Sequence, residues 1–234
     1  MSRQVVLDTE TTGLEWRNGN RIVEIGCVEL INRKPTGRTY HQYLMPDRDF
    51  EEGAQQVTGL SLEFLADKPR FAQVVDEFLD FVEGAELLIH NAKFDVGFID
   101  HELSMLGDRD KYGSISELCK ITDTLRLAKQ TVQGRTSLDA LCKRFGISTD
   151  EREKRGHGAL LDAHLLTDVY LALTSGQSDL GFAEGNAAAV INRYADADLK
   201  PRVLFTITAA DEAAHQNVMA RVAKSAATVV WDAI

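Results

Sequence analysis

Apolar and polar positions change period along the chain. Gln4-Val5-Val6-Leu7 is a short β-branched run, Ile22 to Ile31 alternates, and Gly37 to Met45 offers a third strand. Pro35 and Gly37 place a hairpin connection within Arg33 to Gly37. The period then becomes helical. Phe71, Val74, Val75, Phe78, Leu79 and Val82 form one amphipathic stripe. Glu86 to His90 predicts a brief strand, Phe94 to Leu106 a helix, and Ile121 to Leu127 fits either. Ser137 is placed to cap a helix that runs to Phe145 and closes at Gly146. Leu160 to Thr174 is a strongly periodic helix. Three strands in hairpins, then alternating helices and strands, predict an α/β fold with a mixed sheet.

The pattern breaks at Ser175. From there to Ala189 the chain is rich in Gly, Ser and Ala and reads as a linker. Beyond it lie a helix near Val190 to Tyr194, a strand from Val203 to Ile207, a helix from Ala210 to Val222, and the apolar Thr228-Val229-Val230-Trp231. These roughly 45 residues are marginal for a core of their own, so they are expected to fold against a partner. No internal repeat is visible.

Composition changes the picture mainly through charge. The chain has 234 residues, 44% hydrophobic and 26% charged, ordinary for a soluble globular protein. It carries 36 acidic and 26 basic side chains, a net charge of -10. That excludes a basic nucleic-acid binder held by counterion release, because the bulk field repels phosphate. Handling of DNA or RNA would need positive charge from metal ions or a partner. Cys27, Cys119 and Cys142 show no CxxC spacing, which argues against a disulfide framework or a zinc cluster. No apolar run approaches the roughly 18 residues of a membrane span, and the N-terminus has no secretory h-region. The expectation is a cytoplasmic protein with no membrane partner.

Acidic residues supply the candidate chemistry. Asp8 and Glu10 follow the first strand two apart, so an extended chain puts both carboxylates on one face, with Val6. Like charges there repel unless a cation intervenes. The pair reads as a hard-metal site or as a solvated strand end. Asp162 shares a helical stripe with Leu166, Val169 and Leu173. A carboxylate on an apolar stripe is costly unless paired or metal-bound, although a helix N-terminus also favours Asp. In HNAKFD, Asn91 can cap the next helix, with Asp95 in or near its first turn. His157, flanked by glycines, reads as a mobile, exposed group able to titrate near neutrality. His41, His101, His164 and His215 suggest no site.

Together these segments resemble a family. DTETTG (Asp8 to Gly13), HNAKFD (His90 to Asp95) and HGALLDA (His157 to Ala163) look like the three motifs of the histidine branch of the DEDD exonucleases. SLDALCKRFGI and HGALLDAHLLTDVYLALTSGQ are similar to epsilon, the proofreading subunit family of bacterial DNA polymerase III, over roughly residues 3 to 176. The resemblance implies an RNase H-like fold, a mixed five-stranded sheet flanked by helices. It implies two divalent ions, Mg²⁺ or Mn²⁺, on Asp8, Glu10 and Asp162, with Asp95 in the second-metal or water-linked position and His157 as general base. Two metals suit a phosphodiester, which needs an activated nucleophile and a stabilised leaving oxygen. Gly53 and Thr58 stand where relatives place an acidic residue and a His that touch the terminal nucleotide. Thr58 retains a hydroxyl to donate, and Gly53 offers no side chain.

The resemblance also divides the chain into an exonuclease domain (1–176), a flexible linker (177–189) and a polymerase-binding tail (190–234). Gln177, Leu180 and Phe182 resemble a clamp-binding peptide, with two apolar anchors on a polar linker. The implied partners are a DNA 3′ end, the polymerase alpha subunit and the sliding clamp, with room for a further small subunit. The competing readings are a stand-alone exoribonuclease and a non-catalytic scaffold between polymerase and clamp.

Overall fold

Three long antiparallel strands begin the fold: β1 (Arg3–Thr11), β2 (Ile22–Ile31) and β3 (Lys34–Tyr43). On the other side of β1, β4 (Glu86–Ile89) and β5 (Lys120–Asp123) add in parallel. The order β3-β2-β1-β4-β5 is the mixed five-stranded sheet expected. The structure is a computed structural model and describes residues 2–175. The linker at 177–189, its residues Gln177, Leu180 and Phe182, and the elements expected from Val190 to Trp231 lie outside the described residues.

Helices cover both faces. Between β3 and β4 run α1 (Ala54–Thr58), α2 (Leu62–Leu65) and α3 (Phe71–Val82). Between β4 and β5 run α4 (Lys93–Met105), α5 (Arg109–Tyr112) and α6 (Ile115–Leu118). After β5 come α7 (Thr124–Thr131), α8 (Leu138–Phe145), α9 (Asp150–Arg155) and α10 (Ala159–Ser175). Alternation in β1 sorts the two layers. Val5 and Leu7 join Val75, Phe78, Phe98 and Ile99 in one core, and Val6 joins Leu141, Leu166 and Val169 in the other. Each such side chain, fully buried, stabilises the fold by about 1.5–3 kcal/mol.

Several local expectations are corrected. β1 does not stop at Leu7. Every residue of it through Thr11 pairs with β2, so the ladder of the longer partner overrides the polar sequence DTET. The hairpin turn is Asn32-Arg33, so it meets the expected Arg33 to Gly37 segment only at Arg33. Both turn residues have positive φ (50° and 65°), the twist a two-residue hairpin prefers, and Asn tolerates it well. Pro35 sits in β3 opposite Leu30, which an edge strand permits. Gly37 (φ +84°) absorbs the register shift that follows. The ambiguous stretch at Ile121 divides at Asp123, whose side chain accepts from the N–H groups of Leu125 and Arg126 and starts α7. Asn91 does not cap α4. It takes a left-handed conformation (φ 68°) and Ala92 precedes the first turn.

Among the described residues no helix is long and apolar enough to cross a membrane. The three cysteines are free and buried.

Candidate metal centre

β1 outruns β4. Its pairing with β4 covers Gln4 to Val6, while its pairing with β2 continues to Thr11. Asp8 and Glu10 therefore project beyond the carboxyl end of the parallel pair, where α/β sheets commonly bind ligands. They lie on the face of Val6, toward α10.

A glycine brings α10 to them. Gly26 pairs with Asp8 across the ladder. A Cβ there would lie 2.2 Å from the Leu160 nitrogen and 2.3 Å from the Ala159 carbonyl carbon. The first turn of α10 thus rests on bare β2 backbone, and Asp162, 4% exposed, comes down beside β1. Its stripe continues into buried Leu166, Val169 and Leu173, as the sequence predicts. Asp95 arrives from the opposite layer, in the first turn of α4. It is 3% exposed, and its Oδ1 accepts from the Thr9 N–H (3.1 Å) and the Thr9 hydroxyl (2.7 Å). Asp8, Glu10, Asp95, His157 and Asp162 all line one cavity of about 210 Å³.

Burial, and after it neighbouring carboxylates, raises Asp8, Glu10 and Asp95 at this cavity. Burial, then the charges of Asp162 and Glu24, pushes Glu10 up to about 8. Burial raises Asp95 to about 7 against the hydrogen bonds from Thr9. Asp8 rises well above the ordinary carboxylate range through burial and through Asp95, Glu10 and Asp162. The residues fit a divalent cation. The donors are mostly hard oxygens, and ligand atoms of Glu10, His157 and Asp162 lie within 4.8 Å of one another. Asp162 Oδ1 is buried with no hydrogen-bond partner, an orphan a cation would satisfy.

His157 is less free than its glycine-flanked sequence implies. Its Nδ1 lies 2.7 Å from Arg152 Nη2 and 3.4 Å from Asp162 Oδ2. Its backbone N–H donates to Val57 O (3.1 Å), tying the loop to α1. Gly156 (φ +83°) makes that approach possible, since a Cβ would sit 3.2 Å from Val57 O. Arg152 escaped the sequence reading because DEREKR looks like a solvated charged face. Gly26 left a readable signal, a glycine interrupting an apolar strand, which marks close backbone approach.

Gly53 precedes α1 and Thr58 is its last residue, and both line a second cavity of about 330 Å³ that also reaches Glu10 and Leu14. The Thr58 hydroxyl is already engaged. It donates to Ala54 O (3.2 Å) and accepts from Leu60 N–H (3.3 Å). His90 Nε2 donates to Thr136 O (2.9 Å), joining the end of β4 to the loop before α8. Of the histidines assigned no site, His41 meets Glu24 Oε1 at 2.7 Å and His101 stacks on Trp16 at 5.3 Å. His164 lines a further cavity with His41 and His157, and His215 lies outside the described residues.

The exonuclease family profile matches residues 5–170. The chain is 46% identical to the DNA polymerase III subunit epsilon of Escherichia coli (strain K12), over 100% of this chain and 98% of that one. It is 41% identical to the subunit of the same name from Rickettsia conorii, over 96% and 98%. Among solved structures, Exonuclease X in complex with 5′ overhanging duplex DNA shares the fold (TM-score 0.57, 22% identity, 75% of this chain and 93% of that one). So does E. coli Exonuclease I in complex with a dT13 oligonucleotide (TM-score 0.63, 18% identity, 77% and 42%). The chain belongs to the exonuclease family and, within it, to the DNA polymerase III epsilon subunits.

Proposed function

We propose that the chain is the proofreading 3′→5′ exonuclease of the replicative DNA polymerase III, removing mismatched nucleotides from a DNA 3′ end. One observation carries the reading. Asp8, Glu10, Asp95, Asp162 and His157 converge on one cavity in a chain alike to epsilon along its whole length. Asp8, Glu10 and Asp162 would hold two divalent ions, Mg²⁺ or Mn²⁺, with Asp95 at the second ion or a water linked to it. Bound there, the ions supply the local positive charge and Lewis acidity that an acidic chain needs at a scissile phosphate.

The chain's own residues do the rest. Thr9 holds Asp95 in place through two hydrogen bonds. Phe94 and Leu138 line the cavity and lower its polarity. His157, at the rim, takes the proton of the attacking water at Nε2, the nitrogen turned away from Arg152. The neighbouring cavity receives the terminal nucleotide. Leu14 (77% exposed) and Val57 (49% exposed) offer apolar surface to a base there, and Gly53 leaves room.

Residues 177–189 are a linker whose Gln177, Leu180 and Phe182 bind the sliding clamp, and 190–234 bind the polymerase alpha subunit in the cytoplasm. The likeness to E. coli epsilon across the tail supports this division. The deciding experiment is degradation of a 3′-mismatched primer with and without Mg²⁺, beside single-stranded RNA. Metal-dependent loss of the DNA terminus is expected. Preference for RNA would favour the exoribonuclease reading, and no hydrolysis of either would leave a scaffold.

A further inference from the structure

We propose that Arg152 is a built-in cation that occupies the carboxylate site in the metal-free chain and disables His157 at the same time. Metal loading and activation of the base then become one event. The inference rests on the metal-dependent reading above.

The geometry is that of an occupant. Arg152 lies in α9, and its side chain is only 10% exposed. Nη2 donates to Asp162 Oδ2 at 2.7 Å and to His157 Nδ1 at 2.7 Å. Nη1 donates to Asp139, on the exposed side of α8. Among the described residues it is the sole Lys or Arg lining the cavity. A guanidinium on Asp162 Oδ2 and a divalent ion on Oδ1 would repel at close range, so each weakens the other's hold on the carboxylate.

Its effect on His157 follows from donor chemistry. A guanidinium has five donors and no acceptor. Nδ1 must therefore be the accepting nitrogen, and the neutral ring carries its proton on Nε2. A protonated Nε2 cannot take another proton from water. While Arg152 is docked, a ligand and the base are both withheld.

The docked pose is also incomplete, which makes it displaceable. Arg152 Nε is buried without a partner, and so is Asp162 Oδ1. Each unmet group weakens the docked state and would be relieved once a metal ion takes the carboxylate. Asp139 already holds Nη1, so Arg152 leaves Asp162 without becoming unpaired.

The test uses the full chain with Mn²⁺ and Mg²⁺. Calorimetric titration of Mn²⁺ should show about tenfold tighter binding in Arg152→Gln, the gain expected if the competent state is about a tenth of the wild-type population. Arg152→Lys keeps a cation within reach and should return the affinity toward wild type. A purely structural Arg152 would give the reverse, equal or weaker binding in Arg152→Gln, and that result overturns the proposal. A second readout needs no variant. Imidazole ¹⁵N NMR of the metal-free wild type should show His157 protonated on Nε2 with Nδ1 accepting, and Mg²⁺ should abolish that pattern. A proton on Nδ1 before metal, or an unchanged ring after it, overturns the proposal. A wild-type chain that binds no divalent ion overturns both this and the parent reading. Normal wild-type binding with no gain in Arg152→Gln overturns this one alone.

Discussion

Carboxylates buried this deeply, and set near one another, oppose the fold when ionised, and the sign of that effect fixes its pH dependence. Glu10 at about 8 and Asp95 at about 7 sit above the ordinary carboxylate value near 4. The folded chain therefore binds these protons more tightly than the unfolded chain. Their stabilising contribution is complete below about pH 4 and is lost as pH rises through 7 to 8. In EDTA the melting temperature should fall between pH 5 and 8.5, and saturating Mg²⁺ should oppose the fall. A flat EDTA curve would count against the buried cluster. Asp162→Ala should abolish primer hydrolysis, because a candidate metal ligand is gone, and should lower the melting temperature of the chain in EDTA, because buried Arg152 loses its partner. Near-normal hydrolysis by that variant would sink the assignment. His157→Ala should slow hydrolysis by roughly 10²–10⁴ with Mn²⁺ binding retained. Residues of this kind were legible because their polarity clashes with the period around them. Asp162 interrupts an apolar stripe, and Asp8 and Glu10 share a strand face. Arg152 clashes with nothing in DEREKR, so only the folded chain reveals its partners.

Elements were legible where the sequence carried its own stop and start. α3 lies where its periodicity predicts and α8 where its caps predict, with Ser137 Oγ accepting from Ala140 N–H and Gly146 in a left-handed conformation. Ser137→Ala should cost about 1 kcal/mol, read as a lower denaturant midpoint. The end of β1, the Asn32-Arg33 turn and α1 with α2 were not legible. Strand length depends on a partner ladder, and four- or five-residue helices carry no period. The consequential contact between elements is α10 on β2 at Gly26. Gly26→Ala must push Leu160 and Ala159 away by more than an ångström, because backbone atoms now stand 2.2–2.3 Å from the new Cβ. Overpacking of this sort costs about 1–3 kcal/mol. It also draws Asp162 from Asp8, so hydrolysis should fall more than stability does. Comparing urea midpoints with primer-degradation rates checks the split, and a variant that loses stability but keeps its rate would show that α10 can shift without cost to the site.

Across the whole molecule, chemistry and partnership should separate at Ser175. Both cores and all five residues at the metal centre lie within the described residues, so a chain ending there has what it needs to fold and to cut. It should degrade single-stranded DNA at a rate close to that of the full chain. It should lose the polymerase subunit, because Val203 to Ile207 and Val229 to Trp231 are gone, and those apolar segments belong to roughly 45 residues too few to bury them alone. Leu180→Ala with Phe182→Ala in the full chain should weaken clamp binding and spare the polymerase, since a few apolar anchors dominate a short peptide interface. The net charge of -10 adds a further reason for the tethers. An acidic chain gains little from electrostatic steering toward DNA, so the proposed partners would deliver the primer end by holding DNA themselves. A tether through residues 177–234, as proposed, would keep the local concentration of the exonuclease high. The full chain bound to polymerase should therefore remove a mismatched primer end much faster than the same chain added alone at equal concentration, and the gap should narrow with salt, which screens the repulsion between the free acidic chain and DNA. Equal rates at all salt concentrations would show that the tail contributes nothing to delivery, whatever it binds.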